Sequence, residues 1–67
     1  GANGIPTNAE AMIGKESIVA SNVYAGEHFY SDIDGVPWDC KCDLSLSKGD
    51  TIRVLSLEST VLNMEKI

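Results

Sequence analysis

The chain has 67 residues, of which 43% are hydrophobic and 22% charged, with five basic side chains against ten acidic ones for a formal charge of −5. A chain of this length buries only about 60% of the surface that it exposes when unfolded, so one small domain is expected and a multi-domain enzyme is excluded. The acidic balance disfavours nucleic acid and anionic lipid surfaces, because both attract clustered Lys and Arg. No apolar stretch approaches the ~18 residues that a membrane-spanning helix needs.

The N-terminal segment differs in composition from the rest of the chain. Residues 1–11 mix Gly, Asn, Pro, Thr and Ala without apolar periodicity, which predicts a linker or flexible lead-in. The domain itself is predicted over residues 12–67. Because the chain starts with Gly1 and shows no signal segment, we expect it to be a fragment of a longer protein.

The first half of the predicted domain contains two strand patterns. Residues 17–23 are rich in β-branched and small side chains and form the first predicted strand, and Gly14 before them indicates a tight or crowded backbone position. Residues 28–33 form the second. Strict alternation there places Phe29, Ser31 and Ile33 on one face.

The Asp34-Gly35 pair is the strongest local signal in the sequence, because Gly accepts the positive φ of a two-residue hairpin turn and Asp tolerates it. The second and third strands should therefore pair antiparallel. The third strand is predicted over residues 36–42. Trp38 lies on the same face of this strand as Val36, Cys40 and Cys42, and we expect it to be a core or half-buried residue.

The second half adds two more strands. A short segment whose leucines, Leu44 and Leu46, are expected to plug one end of the core leads into a turn at Gly49. In the fourth strand, residues 51–58, the apolar side chains change phase. Ile52 and Val54 point one way and Leu55 and Leu57 the other, which predicts a bulge or a strand buried on both faces. Residues 61–67 form the fifth strand, and five short strands predict a small barrel.

Cys40 and Cys42 raise the possibility of a metal or redox site. One intervening residue is the wrong spacing for the usual zinc or thioredoxin-type pair, and His28 is the only imidazole, so two free thiols are favoured. Asp32-x-Asp34-Gly35 resembles the start of a calcium loop, but the later ligands of such a loop are missing. The sequence therefore predicts neither a metal nor a cofactor, and a small metal or redox protein is kept as an alternative.

Several of these features together resemble one family. Met12-Ile-Gly-Lys-Glu16, the Asp34-Gly35 turn followed by Trp38-Asp39-Cys40, and Lys48-Gly49-Asp50-Thr-Ile-Arg-Val54 occur in an order that is similar to the C-terminal soluble domain of NfeD-like membrane proteins. The match covers residues 12–67. The chain differs from the family pattern at Ser17, where Gly is usual, and at Ser31, where a branched aliphatic residue is usual.

This resemblance implies an all-β, five-stranded OB-like small barrel with a flexible N-terminal segment. It implies a membrane-anchored protein whose transmembrane segments lie outside this fragment and whose partners are stomatin- or flotillin-type (SPFH) membrane scaffold proteins. Paired reduced thiols favour the cytoplasmic side for this domain. In longer members a serine protease domain lies upstream, but no nucleophile motif of that kind is present in this sequence.

The function predicted from the sequence is a non-catalytic protein–protein interaction domain that acts by docking, through oligomerisation or an exposed strand edge. Tyr24, Phe29 and Tyr30 are the candidate contact residues, since aromatics are favoured at interfaces. Gly14, Gly35, Trp38 and Gly49 are given structural roles. The second alternative is a single-stranded nucleic-acid-binding OB module that uses Trp38 for stacking, which the acidic charge disfavours.

Overall fold

The structure, a computed structural model, describes residues 9–67. A short 3₁₀-helix, Ala9–Met12, precedes five strands. Most of the predicted lead-in lies outside the described residues, so the boundary between lead-in and domain stays a prediction. The strands are β1 (Glu16–Ile18), β2 (His28–Ile33), β3 (Val36–Cys42), β4 (Thr51–Glu58) and β5 (Val61–Lys66).

The five strands form one sheet in the order β1-β4-β5-β3-β2. Neighbouring strands are antiparallel, except β3 and β5, which run parallel. The two outer strands, β1 and β2, contact each other, so the sheet curls into a nearly closed barrel. The prediction of an all-β, five-stranded OB-like barrel is confirmed.

The β2–β3 hairpin forms as the sequence predicts. Ile33 pairs with Val36 across a two-residue turn, in which Asp34 has φ 54° and Gly35 φ 81°. Two successive positive φ values define the type I′ turn, whose twist matches that of antiparallel strands. The turn fixes the register of the hairpin and therefore decides which face of β2 meets the core.

The phase change in β4 is a bulge. Val54 pairs with Met64 and Ser56 with Asn63, so Leu55 is the extra residue and its side chain is 55% exposed. Beyond the bulge, Leu57 pairs with Leu62 and packs against the core. The predicted bulge is confirmed, and the inserted residue returns Leu57 to the side of the strand that faces the core.

The core lies inside the curled sheet and draws on all parts of the described chain. Branched aliphatic residues, both cysteines and Met64 line it, and Met12, Phe29, Trp38 and Leu57 pack against its edge. A polar residue, Ser31, is buried with them. The largest fully buried side chains are Ile52, Leu62, Val19, Val54 and Cys40.

Two expectations about the loops are corrected. β1 ends at Ile18 and not at Val23, because the backbone of Val19 bonds to Gly49 and Asp50 and Val23 forms only an isolated bridge with Leu46. The intervening residues 20–22 are exposed. Leu46 is buried in the core as predicted, whereas Leu44 is 59% exposed.

Candidate functional site

The barrel is held differently at the junction of β1 and β2 than elsewhere. No strand pairing joins these two strands in residues 9–67. Side chains close the gap instead: Ser17 Oγ lies 2.6 Å from Ser31 Oγ and donates to the Asp32 carbonyl oxygen at 2.7 Å. Since that bond uses the hydroxyl proton of Ser17, Ser31 donates to Ser17 Oγ. We name this junction the β1–β2 seam; it comprises Ser17, Ile18, Ala20, Tyr30, Ser31 and Asp32.

The two serines of the seam stand at the two positions named above as departures from the usual pattern of the resembled family. The structure brings them into direct contact. Ser31 is 5% exposed, and a buried hydroxyl without a partner would be costly. Ser17 accepts the hydrogen bond of the Ser31 hydroxyl, so the two polar residues are paired with each other across the β1–β2 seam.

A groove of about 440 Å³ runs along the seam. Its apolar walls include Ile18 and Tyr30, whose side chains are 59% and 73% exposed. Asp32, an exposed acidic residue on the same face of β2 as Tyr30, also lines the groove. A large apolar side chain left exposed beside a groove is a feature of binding surfaces, because it has area to bury against a partner.

The structure separates the three candidate contact residues. Tyr24 lies in the loop before β2 and is 78% exposed, beside a second groove that Asn22 and Ser45 help to line. Tyr30 lies on the outer face of β2. Phe29 points to the opposite face and packs against the core, because successive residues of a strand alternate.

Ile18 and Asp32 were missed as candidate site residues by the sequence reasoning. Alternation predicts that Ile18 and Val19 face opposite sides, but only the structure shows that Val19 is the buried one, at 1% exposure, and Ile18 the exposed one. For Asp32, alternation gives the outward direction. Its place beside β1 depends on the curl of the sheet, which no local pattern reports.

The residues assigned structural roles occupy distinct environments. Gly14 has φ 92°, and a Cβ there would meet nothing within 4 Å, so the position requires positive φ and is not crowded. Gly35 and Gly49 also have positive φ. Trp38 is half-buried against the edge of the core, on β3 opposite Ser31.

The cysteines lie inside the barrel. Cys40 and Cys42 are both free and buried, with Cys40 at 0% exposure. Burial, together with the nearby Asp39 carboxylate, raises the pKa of the Cys40 thiol from an ordinary 9.0 to about 11. Such a thiol stays protonated at neutral pH, which disfavours its use as a nucleophile or metal ligand.

His28 pairs with a carboxylate on the neighbouring strand. Its Nδ1 lies 2.9 Å from Asp39 Oδ1, and the His28 side chain is 56% exposed. Within residues 9–67, no group of three or more His, Cys, Asp and Glu side chains is arranged to hold a metal ion. His28 therefore forms a cross-strand contact on the exposed surface of the β2–β3 hairpin.

The basic side chains are largely committed to ion pairs. Of the five basic residues, four lie within 3.8 Å of a carboxylate. A phosphate backbone would have to compete with those carboxylates for each cation, which disfavours the nucleic-acid alternative. The four pairs are Lys15 with Asp34, Lys41 with Glu58, Arg53 with Glu16 and Glu65, and Lys66 with Asp50.

Comparison with known proteins finds similarity at the level of structure alone. No protein-family model matches the chain, and no curated protein sequence does. The fold matches the C-terminal domain of stomatin operon partner protein 1510-C from Pyrococcus horikoshii with a TM-score of 0.76 and 20% identity, covering 92% of this chain and 97% of that one. The chain shares this fold.

A second solved structure has the same architecture. It is the soluble domain of a membrane protein implicated in regulation of membrane protease activity from Corynebacterium glutamicum. The TM-score is 0.71 at 20% identity, over 85% of this chain and 94% of that one. The resemblance to the C-terminal domain of NfeD-like membrane proteins is thus confirmed at the level of the fold. Within residues 9–67, no helix is long and apolar enough to cross a bilayer.

Proposed function

We propose that this domain is a non-catalytic protein–protein interaction module of a membrane-anchored, NfeD-like protein, and that it binds a stomatin- or flotillin-type (SPFH) scaffold protein on the cytoplasmic side of the membrane. The observation that carries the proposal is the exposure of Tyr24 and Tyr30. They are the most exposed of the large apolar side chains in the described residues, at 78% and 73%. Tyrosine combines a large apolar area with a polar tip, which suits it to interfaces.

The fold supports the proposal in two ways. One solved domain of this fold is named a stomatin operon partner protein, and the other belongs to a membrane protein. The scaffold partner and the membrane anchor are transferred from those names and from the sequence resemblance. The barrel then serves as a rigid base that presents the tyrosines.

Tyr24 and Tyr30 are the proposed contacts, and Phe29 has a supporting role. Phe29 packs its ring against the core from the inner face of β2. It holds in place the strand whose outer face carries Tyr30. A partner would touch Phe29 only at the rim of the barrel.

The test is a pull-down with the complete protein that contains this chain, read by mass spectrometry for SPFH proteins. The wild type should recover such a protein, and the Tyr24→Ala, Tyr30→Ala double variant should recover about tenfold less, as expected when central aromatic contacts are lost. Leu44→Ala is the matched control, since Leu44 is also an exposed apolar residue, at 59%. Recovery of no SPFH protein by the folded wild type would overturn the proposed function, and unchanged recovery by the double variant would overturn the contact assignment.

A further inference from the structure

The backbone of β2 has a free edge along the β1–β2 seam. Ile33 and Val36 flank the two-residue turn and form a hydrogen-bonded pair, so by alternation Ser31 and Phe29 also direct their backbone groups toward β3. Asp32, Tyr30 and His28 then direct theirs away from β3. The bond from Ser17 Oγ to the Asp32 carbonyl oxygen agrees with this direction.

β1 satisfies only a small part of that edge. It is three residues long and pairs with β4, not with β2. The serine contacts hold the seam together at Ser31 and Asp32, and the groove opens beside Tyr30 and Ala20. The N–H and C=O of Tyr30 therefore face a groove and not another strand. An extended segment is the ligand that such an edge accepts, because it offers the complementary row of donors and acceptors.

The charge of the groove restricts which segment fits. Asp32 is exposed at its rim and forms no ion pair within the described residues, whereas the next carboxylate along the chain, that of Asp34, lies 2.8 Å from Lys15 Nζ. The whole chain has a formal charge of −5. A segment with a basic side chain at the position of Asp32 is attracted, and a nucleic-acid strand is repelled.

We propose that the β1–β2 seam binds an extended segment of a protein partner by strand addition to the free edge of β2, with a basic side chain of that segment against Asp32 and an apolar one between Ile18 and Tyr30. This inference builds on the proposed function and gives the partner segment its chemistry. Alternation within the bound segment follows from the geometry of a strand, since every second side chain faces the groove.

The experiment is a titration of the complete protein, or of this chain once its own spectrum shows it folded, followed by amide NMR. The probe is a short blocked peptide in which valine alternates with lysine, and the control peptide carries glutamate in place of lysine. The lysine peptide should shift the amides of Tyr30 and Asp32 and slow their hydrogen exchange. The glutamate peptide should bind at least about threefold more weakly, as expected for the loss of an exposed ion pair.

Matched variants test whether the carboxylate of Asp32 is the charge that attracts the lysine peptide. Asp32→Asn should weaken binding of the lysine peptide about threefold, whereas Asp43→Asn, which removes an exposed carboxylate outside this groove, should not change it. Ile18→Lys places a cation in the groove and should abolish binding. Both asparagine substitutions keep the side-chain shape and alter no hydrogen bond of the barrel.

Three results would overturn the inference: no change at the β2 amides at millimolar peptide, shifts at β2 that appear with protein concentration alone, or binding there of an oligothymidine in preference to the peptide. The second result would make a second copy of the chain the occupant. Each is distinct from failure of the pull-down, because the titration uses no SPFH protein. A pull-down that succeeds while the titration fails would leave the proposed function with a different contact surface.

Discussion

Two parts of the same barrel are built in different ways. On one side, β4, β5 and β3 form a paired wall, in which backbone ladders join each strand to the next and Leu62, Val54 and Cys40 are at most 1% exposed. On the other side, the β1–β2 seam has no ladder and is closed by the hydroxyls of Ser17 and Ser31. Both parts are made of alternating β-strands, so the strand pattern alone does not distinguish them.

This difference explains how so small a domain can be stable and still keep unpaired backbone N–H and C=O groups on one strand. The paired wall buries the apolar side chains that stabilise the fold. The β1–β2 seam contributes less and leaves a strand edge and two large apolar side chains exposed. If this division is correct, substitutions in the wall should affect stability most, and substitutions in the seam should mainly affect binding and local opening.

The largest expected effect is that of a cavity in the paired wall. Leu62→Ala should lower the free energy of unfolding by about 2 to 5 kcal/mol, because Leu62 is 0% exposed and its removal leaves a void. Urea titration followed by circular dichroism measures the loss. Leu55→Ala, at the exposed bulge residue of the adjacent strand, should change stability by less than about 0.5 kcal/mol. Equal losses for the two variants would show that the wall is not the stabilising part.

A pH effect should also arise in the wall. The pKa of Cys40 is raised from 9.0 to about 11, so the unfolded chain loses this proton first and stability falls as pH rises between these values. The slope from this group is at most about 1.4 kcal/mol per pH unit. Urea titrations from pH 8 to pH 11 should show the stability advantage of the wild type over Cys40→Ala shrinking across that window. A constant advantage would contradict the burial of this thiol.

The hairpin turn that sets the register of β2 should come next. Gly35→Ala should cost about 1 to 2 kcal/mol, because Gly35 has φ 81° and an alanine is strained there. Thermal unfolding measures the change. Asp34→Asn is the control at the neighbouring position, since Asn tolerates positive φ and only the exposed pair with Lys15 is lost. A Gly35→Ala variant as stable as the wild type would mean that the turn does not fix the register.

The smallest effect should come from the seam itself. Ser17→Ala removes the bridging hydroxyl and should cost about 1 kcal/mol, the low end of the range for a buried group that loses its partner, because Ser31 lines the groove of the seam and water there can replace the lost hydroxyl. Ser45→Ala is matched to it, as Ser45 Oγ accepts one exposed bond from the Ala25 N–H. If Ser17→Ala destabilises the barrel as much as Leu62→Ala, the seam stabilises the fold as strongly as the paired wall does, and the proposed difference between the two regions is wrong.

Local sequence signals predicted most of the fold, because they act over a few residues. The Asp34-Gly35 turn predicted the hairpin, and the phase change in β4 predicted a bulge or a strand buried on both faces, of which the structure has the bulge, at Leu55. The same reasoning extended the first strand too far. The backbone partners of Val19 are Gly49 and Asp50, which lie distant in sequence, so no local pattern reveals where β1 ends.

The candidate site was predicted less completely than the fold. Alternation alone separates Phe29 from Tyr30, so the sequence already contained the information that only one of them faces outward. The contact between Ser17 and Ser31 depends on the closure of the sheet and could not be read from either residue. The same closure brings Ile18 and Asp32 together in one groove. The groove therefore cannot be predicted from the local sequence around either residue.

Hydrogen exchange of the individual β2 amides in the unliganded protein tests whether β2 is paired on one side and free on the other. We expect alternation along a single strand: the amides of Phe29 and Ser31, bonded to β3, exchange slowly, and those of Tyr30 and Asp32, facing the seam, exchange faster by orders of magnitude. Equal protection of all four amides would contradict it, because β2 would then be paired on both edges and the seam would have no free strand to offer.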